Sequence, residues 1–123
     1  MTQLASTPNA YRESAVLSAP PEMLVVMLYD GARRFLFQAG VAMREGQIEL
    51  SNRKLRRVED ILQHLRDTLD MDQGEIAHNL ESIYVYCLRV LRQARFDRDP
   101  AVLEHVSTLL SQLRDAFAAI SSQ

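Results

Sequence analysis

Histidine, cysteine and the acidic side chains are the residues of this chain able to bind a metal or attack a substrate, and their spacing sets up neither. No two of His64, His78, His105 and Cys87 stand three or four residues apart, the separation that puts two ligands on one helical face. Cys87 falls within an apolar stripe, where a free cysteine behaves as a small hydrophobe rather than a thiolate nucleophile. The stretch Asp70-Met71-Asp72-Gln73-Gly74, with Glu81 eleven residues after Asp70, has the outline of a calcium loop. Gly74 occupies its fifth position, however, where an oxygen ligand is required. Arg53, Lys54, Arg56 and Arg57 form a basic run, but Glu59 and Asp60 follow at once and no aromatic residue is interleaved for base stacking. The expectation is a non-enzyme with no catalytic, metal or cofactor site and no nucleic-acid platform, in which the basic run is a solvated helix face.

These residues belong to a chain of 123 residues, 47% hydrophobic and 24% charged, with a formal net charge of -2. That is the composition of one globular domain with a modest core. Four Gly, four Pro and no Trp leave few turns, which favours a small number of long elements over a sandwich or barrel. A single cysteine makes no internal disulfide and suits a reducing compartment. Neither a secretory leader pattern nor a run approaching the ~18 apolar residues of a membrane helix is present, so a cytoplasmic location without membrane insertion is expected.

Periodicity supplies the elements. Residues 1–18 read as a flexible segment that closes with a short helical turn and carries Tyr11, Val16 and Leu17. Pro20 and Pro21 stop it and open the first long helix, since proline is tolerated in a first turn. There Leu24, Leu28, Phe35, Ala39 and Ala42 recur at helical steps up to Gly46. Ile48, Leu55, Leu62 and Leu69, with Ser51, Val58 and Leu65 between them, form a heptad stripe on the second helix. The third carries Ile76, Leu80, Ile83, Cys87 and Val90, widened by Tyr84, Leu88 and Leu91. Phe96 to Asp99 form the last connection, with Asp99 as N-cap and Pro100 at the first helical position. Leu103, Val106, Leu110, Leu113, Phe117 and Ile120 make the seam of the fourth, and residues 121–123 fray. The predicted fold is all-α, an antiparallel up-down four-helix bundle over 19–120 with a short N-terminal helical segment.

The informative residues are the apolar ones beyond one stripe per helix. Met23 to Tyr29 are consecutive, as are Phe35, Leu36 and Phe37. At ~100° per residue each run sweeps past a single face. Tyr84 and Tyr86 point about 200° apart, and Leu109 sits beside the seam of the last helix. Tyrosine suits an interface because its ring is apolar and its hydroxyl stays wet. Tyr84, Tyr86 and Leu109 are therefore candidate binding residues for a partner helix or peptide. The alternative is a structural bundle that self-associates through the same strips and has no client.

Four motifs carry a resemblance. They are Met27-Leu28-Tyr29-Asp30-Gly31-Ala32 after a Pro-Glu helix start, Leu69-Asp70 leading to Gly74-Glu75-Ile76-Ala77-His78-Asn79-Leu80, Ile83-Tyr84-Val85-Tyr86, and Leu113-Arg114-Asp115. In this order, from about Tyr11 to Phe117, the chain resembles the FliS family of flagellar export chaperones. The resemblance implies a cytoplasmic, non-enzymatic chaperone. Its client would be the disordered C-terminal segment of flagellin, which wraps over the bundle and is kept from premature assembly until type III export, with the flagellar export apparatus as a further partner and the chaperone itself a monomer or weak dimer. It also implies that Tyr11, with Val16 and Leu17, lies over the client surface until flagellin displaces it, and that Asn79 either hydrogen-bonds client backbone or packs the turn. Two positions depart from the family's pattern: Pro20 stands where Ser usually caps the first helix, and Phe117 where Trp is common. Both bear on local stability rather than on binding.

Overall fold

The computed structural model describes residues 21–121, so the predicted N-terminal segment with Tyr11, Val16 and Leu17 lies outside the described residues. Those described form four α-helices and one 3₁₀ turn: α1 (Pro21–Arg44), α2 (Ile48–Asp67), the turn Met71–Gln73, α3 (Glu75–Asp97) and α4 (Pro100–Ser121). Their ends follow from local chemistry. Gly46 takes φ 74°, letting Gln47 N–H reach back to the Ala42 carbonyl at 2.8 Å and its own N–H to Met43 at 3.2 Å, the paired bonds that close a helix through a left-handed residue. Asp70 Oδ1 accepts from Asp72 N–H at 3.1 Å, and Gly74 at φ 78° then redirects the chain into α3. The acidic turn therefore satisfies its own backbone. Asp99 Oδ1 accepts from Ala101 N–H at 3.1 Å and Pro100 opens α4, as the sequence predicts. The last connection is shorter than expected, because α3 runs through Phe96 to Asp97 and Arg98 alone makes the left-handed turn at φ 58°.

The ion pairs and ring contacts between helices show the up-down order. Tyr29 near the start of α1 meets Phe117 near the end of α4, ring centroids 5.8 Å apart, while Arg44 at the end of α1 pairs with Glu104 at the start of α4. Glu59 of α2 pairs with Arg95 of α3 at 2.6 Å, and Arg66 with Glu81 at 3.7 Å, so these two also run antiparallel. Helix α1 packs most extensively, against both α4 and α2; α3 packs less against α2 and least against α4.

The heptad read for α2 is the observed one: Ser51, Leu55, Val58, Leu62 and Leu65 are buried, and the Ser51 hydroxyl donates to the Ile48 carbonyl at 2.9 Å, which lets a polar residue sit in the stripe. In α1 the buried line is instead Val26, Tyr29, Ala32, Leu36, Ala39, Ala42 and Met43, with Leu24, Leu28 and Phe35 only half-buried. The stripe is rotated because α1 packs extensively on both of its flanks, against α2 and α4, whereas α2 packs extensively on one alone. In α3 the buried set is Ala77, Tyr84, Cys87, Leu88, Leu91 and Ala94, and Ile76 is exposed. The seam of α4 is buried through Leu110, half-buried at Leu113 and Phe117, and exposed at Ile120.

Candidate functional site

Of the predicted binding residues, Tyr84 requires correction. It is 2% exposed, and its hydroxyl shares a hydrogen bond of 2.5 Å with that of Tyr29 across the core. A tyrosine can take an interior position when its hydroxyl finds a buried partner, and α1 supplies one. Tyr84 is thus part of the scaffold.

Tyr86, two residues on, points elsewhere. Counting 3.6 residues per turn, Asn79, Ile83, Tyr86 and Val90 share the flank of α3 that faces α4. Val102, His105 and Leu109 share the flank of α4 that faces α3. One contact fixes this orientation: Tyr86 Oη and His105 Nε2 are 2.9 Å apart, with the rings edge to face at 5.8 Å and 87°. The Arg89 guanidinium lies 5.3 Å from the Tyr86 ring centre, a cation over an aromatic face. Ile83, Tyr86, Val90, Val102 and Leu109 pack against the core while remaining half-exposed, and Asn79 is exposed on the first turn of α3. The strip thus joins Asn79, Tyr86 and Leu109 along the more loosely packed of the α2–α3 and α3–α4 pairs, and leaves Tyr84 beneath it. At the end of the bundle where α3 begins and α4 finishes, Ile76 and Ile120 are 66% and 56% exposed.

His105 joins the strip although its spacing in the sequence marks it only as a histidine without a metal-ligand partner. The available signal was its place four residues before Leu109, which puts the two on one flank. Phe96, 83% exposed, was hidden by its assignment to a connection.

The chemistry available here is that of contact. Among the described residues no group of three or more His, Cys, Asp or Glu side chains is placed to hold a metal ion. Burial pushes the Cys87 thiol up to about 11, far from the activated range. Burial also raises Tyr29 and Tyr84, and for Tyr29 the hydrogen bond shared with Tyr84 adds to the rise. These shifts have a definite sign. The unfolded chain loses its thiol proton near pH 9 and the folded one near 11, so this stabilisation is complete below about pH 9 and is lost as pH climbs through 11. The loss reaches roughly 3 kcal/mol at 1.36 kcal/mol per unit. Alkaline unfolding followed by circular dichroism is expected to move to higher pH in Cys87→Val.

A family model described as flagellar protein FliS matches residues 4–123. The chain belongs to the FliS family. Three relatives named flagellar secretion chaperone FliS illustrate the likeness. That of Salmonella typhimurium is 38% identical over 111 residues, covering 89% of this chain and 82% of its own. That of Vibrio cholerae is 33% identical over 109 residues, covering 88% and 80%. That of Bacillus subtilis is 32% identical over 116 residues, covering 94% and 86%. These FliS relatives bear the names of chaperones, not enzymes, which agrees with a site built of apolar and hydrogen-bonding contacts. No helix among the described residues of this FliS chain is long and apolar enough to cross a membrane.

Proposed function

We propose that this protein is a cytoplasmic export chaperone that holds the disordered C-terminal segment of flagellin against the α3–α4 strip, preventing premature polymerisation and keeping the subunit ready for type III secretion. Membership of a family whose relatives are named secretion chaperones supports a client. The observation that carries the reading is the half-exposed apolar strip of Ile83, Tyr86, Val90 and Leu109. A segment that folds on binding must cover a large area to offset its ordering entropy, and a helix pair with an open flank provides a long one. Asn79, at one end of the strip, offers both a donor and an acceptor to client backbone. Tyr11, Val16 and Leu17 belong to the same proposed site: the chain enters α1 at the end of the bundle where Ile76 and Ile120 are exposed.

Calorimetric titration with the C-terminal segment of the organism's own flagellin, on the full chain and on a version lacking residues 1–18, tests this. One-to-one binding with a negative heat-capacity change is expected, the mark of apolar burial. Tighter binding by the shortened chain assigns residues 1–18 as a lid, and weaker binding assigns them as contacts. Absence of binding at high concentration, together with salt-independent dimerisation, overturns the reading in favour of a self-associating bundle.

A further inference from the structure

The opposite flank of α4 faces α1, and a row of polar links joins the two helices there. Arg114 Nε donates to Asp30 at 3.1 Å, Arg33 Nε to Ser107 Oγ at 3.4 Å, and Arg44 pairs with Glu104 at 2.5 Å. Phe37 stands in this row one turn after Arg33 and is 73% exposed; the core position beside it is filled by Leu36. A lone surface phenylalanine needs no explanation, but this one walls a groove. The groove, about 130 Å³, lies between Phe37, Gly40, Pro100, Leu103 and Ser107. Gly40 contributes no side chain to its lining. A shallower depression of about 450 Å³ runs on from Phe37 over Arg33, Arg34 and Gln38. Arg33 is bonded to a neutral hydroxyl, and among the described residues no carboxylate pairs with Arg33 or Arg34. Two guanidinium groups without an ion-pair partner therefore adjoin an aromatic wall, and the one carboxylate lining the same depression, Asp30, is paired with Arg114.

We propose that this α1–α4 face is a docking site for an acidic amphipathic helix of a protein partner, which sets one bulky apolar side chain in the groove beside Phe37 and its carboxylates on Arg33 and Arg34. Guanidinium forks match carboxylates in shape as well as charge. The one-turn separation of Arg33 from Phe37, and of Phe37 from Val41, which is also exposed, matches the spacing at which a helix laid along α1 presents its own side chains. An anionic membrane fits less well, because the groove beside Phe37 is concave and takes a single side chain rather than a planar array of headgroups. Since the site occupies the other flank of α4 from His105 and Leu109, it is separate from the proposed client strip.

The test is fluorescence anisotropy on the full chain with a labelled helix-forming peptide bearing glutamates on one face and Leu and Phe on the other, alongside its lysine-for-glutamate counterpart. The acidic peptide is expected to bind and the basic one not. Phe37→Glu, and Arg33→Glu with Arg34→Glu, should each weaken binding by about tenfold or more, the scale of a lost interface anchor. Gly40→Leu should block the groove, and Arg33→Lys with Arg34→Lys should retain most of the affinity. Thermal unfolding of Phe37→Glu should match that of the parent, because the ring is exposed. Equal binding of both peptides, or no effect of Phe37→Glu, overturns the proposal. So does displacement of the acidic peptide by the flagellin segment, which would make the face part of the client site. Sedimentation with phosphatidylserine vesicles that Phe37→Glu abolishes overturns it in favour of a lipid surface.

Discussion

Replacing Tyr84 by phenylalanine is expected to destabilise the bundle by about 1–3 kcal/mol, and replacing Tyr29 as well is expected to recover most of that loss. The two hydroxyls are each other's partner at the centre of the core, where the rings are 0% and 2% exposed. Removing one leaves a buried hydroxyl that has given up water and found nothing in return. Removing both leaves two phenylalanine rings of nearly unchanged volume, and isosteric apolar replacement in a packed site is tolerated. Tyr84→Ala adds a cavity as well, which sets its expected loss at roughly 3–5 kcal/mol. Urea unfolding of the two single variants and the double variant measures the coupling directly. Additive losses would show that the hydroxyls do not depend on each other.

The second large effect is on binding. Tyr86→Ala should weaken the flagellin C-terminal segment by about 2 kcal/mol, roughly thirtyfold, the magnitude of a buried aromatic anchor at an interface. Leu109→Ala should weaken it by a smaller factor, through lost area on the facing helix. Asn79→Ala should lower affinity by about 1 kcal/mol, one net hydrogen bond. Stability should fall little in Tyr86→Ala, whose ring is half-exposed and whose hydroxyl partner His105 is at the surface. Calorimetry of the three variants beside their urea midpoints separates the two quantities. Unchanged affinity in all three would remove the client from the α3–α4 strip.

How far the sequence foretold this depends on how many sides each helix buries. Helix α2 packs against α1 and α3 through one narrow line of side chains with charged residues on the rest of its surface, so its heptad of Leu55, Val58, Leu62 and Leu65 could be read directly. Helix α1 is covered on two flanks. Its apolar runs therefore carry no phase, and the buried line passes through Tyr29 and Leu36 instead of Leu28 and Phe35. Tyr84 and Tyr86 show the same limit at the site. Periodicity separates their directions, but which direction is interior depends on a hydroxyl partner 55 residues earlier in the chain. The edge-to-face pairing of Tyr86 with His105 is likewise a relation between helices, and spacing within either helix carries no trace of it. Caps and turns, by contrast, are local chemistry, and Asp99, Pro100 and Gly46 were legible for that reason.

The close association of α1 with α4 bears on how the protein is made. Among the described helices, the one synthesised earliest has as its most extensive partner the one synthesised latest, so a ribosome-bound chain that ends before Pro100 leaves the α4 side of Leu36 and Tyr29 bare. Closing this pairing spans most of the polypeptide, and such non-local contacts form late. The α1–α4 pairing therefore closes only once all of α4 has been made, and chains truncated within α4 should leave the core side of α1 open to quality-control proteases.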